Sequence, residues 1–395
     1  MKKLEWKERK VNLGTSIAIG AVLAIAGIVV GANWNTLIGR YSPYFGFSTT
    51  NSVNWSALDE VYDKIVTTYN GEVDIDKLID GAKSGMVDAL GDIYTVYMNA
   101  EKTADFYDDL HGNVGSGIGV EMGLRDGYVR VLRTLPDNPA RKAGILAGDI
   151  LYKVDGEEIW DLPSDEVAKK IRGESGSEVT VTVVRDGKEL DFKMKRETIN
   201  NVSEYVEYDG STAIITVTRF DDDTGKLVQK EAAKFADKGI KKVILDLRNN
   251  GGGYVSAAQD LLGLWIDGKK VLVQKSVHYG NTTTSAASGK AILSDTKTIV
   301  LVNGSTASAS EIVAGALQDY GKATVVGEKT YGKGVVQTLL NLSDGATLKV
   351  TTAAWYTPND RSINGEGITP DIEVERSYDD INAMRDPQLD KAKEM

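Results

Sequence analysis

The chain has no cysteine, and its 395 residues include two histidines, His111 and His278. The first absence removes disulfides, thiolate metal sites and cysteine nucleophiles together. The second leaves a Ser–His triad or a multi-histidine metal centre little to draw on. Positive charge is also short: the net charge is −11 and the pI about 5.0. An extended nucleic-acid footprint, which needs a surplus of Lys and Arg, is therefore not expected. Hydrophobic residues are not scarce, and at 42% they argue against wholesale disorder. The length exceeds what one core usually organises, so two or three folded units are expected.

Charge is concentrated and then missing at the start of the chain. The first ten residues hold five Lys/Arg against two Glu, and the twenty from Leu13 to Ala32 carry no charge. Twenty apolar residues span about 30 Å as a helix. The expectation is a cytoplasmic basic tail (1–12), a transmembrane helix (13–32) and an extracytoplasmic remainder, oriented by the positive-inside rule. The location implied is the cell membrane, single-pass. A cleaved signal peptide is the alternative, since Val30-Gly31-Ala32 offers small residues for a cleavage site and would leave a secreted protein.

Residues 33–52 have no period and read as a linker. An N-terminal helical domain is expected over 53–111. Leu58, Val61, Tyr62, Ile65 and Val66 share one helical face, and Leu78, Ala82, Met86, Val87 and Leu90 share another. Residues 112–200 alternate as strands around two short helices. Strands are predicted over 119–124, 128–133 and 149–154, with Asp155-Gly156 as a two-residue hairpin turn. Helices are predicted from Pro139 and over 163–171, and strands again on both sides of Asp186-Gly187. The order SGIGVEM, then NPARKAGILAGDILYKVDGEEI, then helix, resembles a PDZ domain of the bacterial protease-associated kind. That resemblance implies that Gly117, Ile118, Gly119 and Val120 receive the last residues of a peptide by strand addition. A plain turn is the simpler reading of those glycines.

From residue 203 onward β and α segments alternate, which argues for an α/β domain with a largely parallel sheet. Three segments there carry chemistry. In Leu245-Asp246-Leu247-Arg248-Asn249-Asn250-Gly251-Gly252-Gly253 a strand runs into three glycines whose amides suit an anion nest or oxyanion hole. Gly304-Ser305-Thr306-Ala307-Ser308-Ala309-Ser310-Glu311 lies between a strand and a helix. Ser308 with Glu311 reads alone as a capping box. Gly327-Glu328-Lys329-Thr330-Tyr331-Gly332-Lys333-Gly334 is nearly a Walker A loop. Gly334 replaces the metal-binding hydroxyl, however, and a strand-like run follows where a helix should begin.

Together these three segments resemble the carboxyl-terminal processing peptidases (tail-specific proteases), in the same order and at similar separation. In that family the nucleophile lies in S/T-A-S-A-S-E-I, and the lysine of T-[FY]-G-K-G follows twenty-five residues later, as Lys333 follows Ser308. The resemblance spans about 53–375, including GAKSGMVDALGDIYTVYM, with Ile93 where the family commonly has Pro. It implies Ser308 as nucleophile, Lys333 as general base and Gln337 orienting the lysine. Glu311, Asp319 and Thr330 would support the site, and Gly252, Gly253 and the N–H of Ser308 would form the oxyanion hole. Arg172, closing the second PDZ helix, becomes a gating contact or a plain surface charge. The implied fold is an α/β protease core (crotonase/ClpP-like, largely parallel sheet) over 201–376 with an inserted PDZ domain. An N-terminal helical segment, one transmembrane helix and a C-terminal tail (377–395) complete it. No metal or cofactor is implied. The partners implied are protein or peptide substrates with free C-termini and the lipid bilayer, with a homodimer through the N-terminal helices as a further expectation.

No histidine lies near either motif, so lysine is the base available to the serine. A lysine at its ordinary pKa of about 10.4 is protonated at pH 7, so its niche must be poor in water and counter-charge. Ser294 and Lys297 have the S-x-x-K spacing of penicillin-recognising enzymes but precede a strand rather than opening a helix. A tail-binding PDZ scaffold without activity and a crotonase-type acyl-CoA enzyme are the competing classes. The intact Ser308, Lys333 and Gln337 oppose the first, and an outward-facing anchor opposes the second.

Overall fold

The computed structural model describes residues 13–32 and 55–395, apart from 114, 126, 200, 277–279 and 384. The basic tail, the 33–52 linker and His278 lie outside the described residues. The chain divides into two compact units, Met1–Ile79 and Asp80–Met395.

The first unit holds α1 (Leu13–Ala32) and α2 (Ser56–Thr68), and α3 (Ile75–Asp88) begins in it. The uncharged run of α1 is helical, and its Ile17, Val22, Leu23 and Ile28 side chains are exposed. Taken over the described residues, no helix is long and apolar enough to cross a membrane. The run expected to span the membrane is helical. The expected apolar spacing is present in α2, yet none of its residues is buried.

The second unit continues with β1 (Val96–Met98) and α4 (Ala100–His111). Asn99 caps α4 by accepting from Lys102 N–H at 3.0 Å, and Gly112 ends it at φ 74°. An insert then opens and closes on itself. Its first strand, β2 (Ser116–Gly117), pairs with its last, β9 (Glu197–Thr198). Between them lie β3 (Val120–Arg125), β4 (Tyr128–Thr134), α5 (Pro139–Ala143), β5 (Ile150–Val154), β6 (Glu157–Glu158), α6 (Ser164–Ile171), β7 (Glu178–Arg185) and β8 (Lys188–Lys195). The sheet order is β3-β4-β5-β7-β8, antiparallel throughout. The alternation of Val179, Val181 and Val183 buries one face against Ile118, Val131, Ile145 and Leu151. Both predicted turns form with positive φ at their two central residues, Asp155-Gly156 and Asp186-Gly187.

The remainder begins with β10 (Glu204–Asp209), β11 (Thr212–Val217), α7 (Thr224–Ala232), β12 (Lys242–Asp246), α8 (Val255–Leu262), β13 (Lys270–Lys275) and β14 (Thr282–Ala286). It goes on through β15 (Lys297–Val302), α9 (Ala309–Asp319), β16 (Thr324–Gly327), β17 (Val335–Asn341), β18 (Thr347–Tyr356) and β19 (Ile372–Glu373). Two helices, α10 (Tyr378–Asn382) and α11 (Pro387–Glu394), close the chain. One sheet runs β10-β11-β12-β15-β16-β19 and is parallel except for the β10–β11 edge. Alternate residues of its strands face opposite ways. Ile215, Leu245 and Val300 pack with Val228, Leu261 and Ile312 of α7–α9, whereas Ile244, Ile299 and Leu301 pack with Ala392 of α11. The expected C-terminal tail is accordingly helical, and its α11 covers one face of this sheet.

The expectation of a largely parallel core needs correction. A second sheet, β1-β18-β13-β14 with β17 also on β18, is antiparallel in every pairing, so the core is mixed. The cause is local. No helix follows Gly327, so β17 and β18 join as a hairpin, and a parallel return would need a crossover segment.

Candidate active site

Strands β12 and β15 are parallel neighbours, so the loops that leave their C-terminal ends meet beyond the same edge of the sheet. Those loops are the glycine segment and the Ser308 segment. Asn303 and Asn249 stitch them together. Asn303 Oδ1 accepts from Asn249 N–H at 3.0 Å, and Asn303 Nδ2 donates to Asn249 Oδ1 at 2.9 Å. Asn250 is fully buried and adds three ties: its carbonyl accepts from Ala307 N–H and from Ser310 Oγ, and its Nδ2 donates to the Val217 carbonyl. Thr306 Oγ1 donates to the Leu247 carbonyl at 2.9 Å.

This frame holds Ser308 at φ 55°, ψ −117°, a left-handed conformation costly for a residue with a Cβ. Gly252 passes directly behind it. A Cβ on Gly252 would lie 2.8 Å from Ser308 Cβ and 2.9 Å from the Ala307 carbonyl. A Cβ on Gly253 would lie 2.1 Å from the Phe220 carbonyl. The glycine run is thus required by close approach as well as by amide exposure.

Glu311 joins the nucleophile segment to the lysine loop. Its Oε1 accepts from Thr330 Oγ1 (2.6 Å) and Gly332 N–H (2.7 Å), and its Oε2 from Ser308 N–H (2.8 Å) and Lys333 N–H (3.0 Å). Thr330 Oγ1 itself accepts from Ile368 N–H at 2.6 Å, so its proton must point at Glu311. Burial pushes the Glu311 carboxyl up, against these four bonds that pull it down. Four donors around two oxygens leave no acceptor for a carboxyl proton, which requires the ionised form. The capping box is therefore complete on its carboxylate side. On the hydroxyl side Ser308 faces the Glu311 amide but makes no cap hydrogen bond of standard geometry.

Lys333 lies across a cavity of about 440 Å³ that Ser308, Gly251–Gly253, Ile312, Val335, Val336, Trp355 and Lys349 also line. Trp355 Nε1 donates to the Lys333 carbonyl at 2.8 Å and fixes the loop. Among the described residues Lys333 Nζ has no hydrogen-bond partner, and it stands 5.7 Å from the centre of the Tyr94 ring. Burial holds its pKa below the ordinary lysine value and the Lys349 charge lowers it further, against a smaller opposing pull from Glu311.

Other expected site residues are placed differently. Gln337 lines the cavity, but its Nε2 donates to the Tyr94 carbonyl and not to Lys333. Gly252 N–H is engaged with Asn250 Oδ1 at 2.8 Å, and Ser308 N–H with Glu311, which leaves Gly253 N–H as the unengaged amide of the three. Asp319 does not join the cluster. It accepts from Asn359 N–H and pairs with Arg361 beyond the other end of α9. His111 contacts Tyr254 Oη at 3.4 Å and does not line the cavity. Lys297 reaches the Met395 carbonyl, which leaves the S-x-x-K pair without a site. Asn250, Asn303, Thr306, Ser310 and Lys349 escaped the sequence reading. The Asn-Asn pair before the glycines, with a third Asn just after the neighbouring strand β15, was the available signal.

Gly117, Ile118, Gly119 and Val120 line a second cavity of about 520 Å³, between β3 and α6, together with Arg172. Gly119 has φ 76°, and a Cβ there would meet Asn138 Cβ at 2.2 Å. Asp109, Thr218, Arg219 and Gly251 line both this groove and the Ser308 cavity, so the two adjoin. Burial raises the Asp109 carboxyl, and the facing Arg172 charge opposes that.

Residues 211–374 match the model of peptidase family S41, residues 116–195 that of a PDZ domain, and residues 46–102 that of the activating protease CtpB N-terminal domain. A CtpA-like serine protease of Staphylococcus aureus is 37% identical over 373 residues, covering 93% of this chain and 74% of that relative. One of Staphylococcus epidermidis is 35% identical, covering 92% and 75%. The solved photosystem II D1 C-terminal processing protease is similar at a TM-score of 0.57 and 28% identity, covering 82% of this chain and 87% of that one. The chain belongs to the C-terminal processing peptidases of family S41, serine-type peptidases that carry a PDZ domain.

Proposed function

We propose that this peptidase cleaves extracytoplasmic proteins whose C-terminal tails enter the Gly117–Val120 groove, with Ser308 as nucleophile and Lys333 as general base. The observation that carries the reading is the Glu311 carboxylate, which ties the Ser308 amide and the Lys333 amide to one buried group. Lys333 is half-buried and, among the described residues, has no ion-pair partner, so it is poised to lose its proton and take that of Ser308 Oγ. The hydroxyl then adds to the scissile carbonyl, and the proton passes to the leaving amine. Water repeats the sequence on the acyl-enzyme. Gly253 N–H is the donor available to the oxyanion, with Gly252 N–H and Ser308 N–H joining if their present bonds are released. Gln337 would orient Lys333 once it leaves the Tyr94 carbonyl, since catalytic bonds commonly tighten only with substrate bound.

The adjoining grooves support tail capture, because a peptide added to β3 lies beside the Ser308 cavity. Arg172 and Asp109 at that junction are the gating contact of this reading. The uncharged helix α1 behind a basic start supports an anchor in the cell membrane with the catalytic unit outside. The uncovered apolar residues of α2 suit a second copy of the chain.

A fluorogenic peptide assay tests the chemistry. Ser308→Ala and Lys333→Arg are both expected to be inactive with unchanged thermal unfolding, because a guanidinium cannot act as a base near neutral pH. Activity surviving in Ser308→Ala, with stability lower by about 1 kcal/mol, would show that the serine is only a helix cap.

A further inference from the structure

The Ser308 cavity contains a second lysine that the reaction as derived above does not use. Lys349 lies on β18, paired with Leu339 of β17 on one side and Val96 of β1 on the other. It is half-buried, and its Nζ makes no hydrogen bond and no ion pair among the described residues. Its Nζ stands 5.4 Å from the centre of the Phe106 ring on α4. A solvent-shielded ammonium without an anion is costly, and strands ordinarily place an acidic residue opposite a buried cation. Here the flanking strands offer Leu339 and Val96.

We infer that Lys349 is a positioning residue of the peptidase reaction, its unpaired ammonium in the cavity wall driving the proton off Lys333. This rests on Lys333 being the base. The other titratable groups lining the cavity with the pair are Asp109, Arg219 and Tyr254. From α9, Glu311 opposes the effect, but its carboxylate is already shared among four donors. From α4, Asp109 faces Arg172, and after β11 Arg219 is paired with Asp221 at 3.0 Å. Before β1, Tyr94 presents its ring to Lys333. Burial depresses both lysines, and the Lys349 charge lowers Lys333 further.

The test is kcat/KM against pH on an uncharged fluorogenic peptide, for the full chain and for Lys349→Met and Lys349→Arg. Lys349→Met should move the rising limb to higher pH and lower kcat/KM at pH 7 by roughly tenfold, the effect of about one unit in the pKa of the base. Lys349→Arg, which keeps the charge, should keep the wild-type midpoint. An unmoved midpoint in Lys349→Met overturns the proposal, as does an equal shift in both variants, which would mark a packing effect. A loss confined to peptides with acidic side chains, at an unmoved midpoint, overturns it in favour of a substrate-carboxylate subsite. Lys333→Met is run beside them. If it stays active, the base assignment fails. If it is dead while Lys349→Met keeps its midpoint, only the role of Lys349 fails.

Discussion

The two cavities that share Asp109, Thr218, Arg219 and Gly251 are built on opposite principles. Around Ser308 and Lys333, position is set by buried side chains. One carboxylate holds four donors, and the asparagines bridge two loops. In the Gly117–Val120 groove, position is set by backbone, through strand β3 and Gly119, whose positive φ and close approach to Asn138 disfavour any side chain. A reacting centre needs groups fixed to fractions of an ångström, which a dense polar network provides. A groove that takes a peptide by strand addition binds through main-chain hydrogen bonds and tolerates varied side chains, as proposed above for this one.

Glu311→Gln should break the first cavity hardest. The amide would turn an N–H₂ toward two donors and leave them unpaired in the interior, at a cost of roughly 3 kcal/mol. With the loops untied, kcat/KM should fall by at least about 100-fold, since misplacement by an ångström has that effect. Urea unfolding and steady-state kinetics check both parts. A variant with full activity would show that the carboxylate is not what aligns Ser308 and Lys333.

Gly119→Ala should damage only the groove. The left-handed φ and the clash with Asn138 should destabilise the PDZ domain by more than about 1 kcal/mol. KM for an unstructured protein with a free C-terminus should rise, while cleavage of a short fluorogenic peptide keeps its kcat. A fall in kcat on the short peptide would mean that the cavities are coupled more tightly than adjacency requires.

The smallest effects should separate gating from recruitment. Because β2 and β9 pair at the two ends of the insert, residues 113–199 can be removed with little displacement of the chain ends. If the domain blocks the site at rest, the shortened enzyme should cleave faster and ignore tail identity. If it only recruits, KM should rise at constant kcat. Arg172→Ala should reproduce a few-fold fraction of whichever change appears, read with free and amidated tails. A ligand shifts domain position only if it binds the two positions unequally, so amidation is the discriminating variable.

Local signals were enough for much of this molecule. Alternating valines at 179, 181 and 183, the Asp-Gly turns and Asn138-Pro139 each act within a few residues, and the PDZ strands and helices formed where those signals lie. The spacing from Ser308 to Lys333 was readable too, because a motif keeps its spacing whatever surrounds it. Tertiary structure decided what depended on distant partners. Glu311 read alone as a cap, and only packing brought Thr330, Gly332 and Lys333 onto its other lone pairs. Asp319 sat inside the motif but faces Arg361, because α9 carries it to the far end. The antiparallel second sheet was missed because its strands pair across up to about 250 residues, as β1 does with β18. Lys349 is an ordinary strand lysine in the sequence. Its place in the wall of the cavity that Lys333 also lines follows only from β17 and β18 folding back as a hairpin.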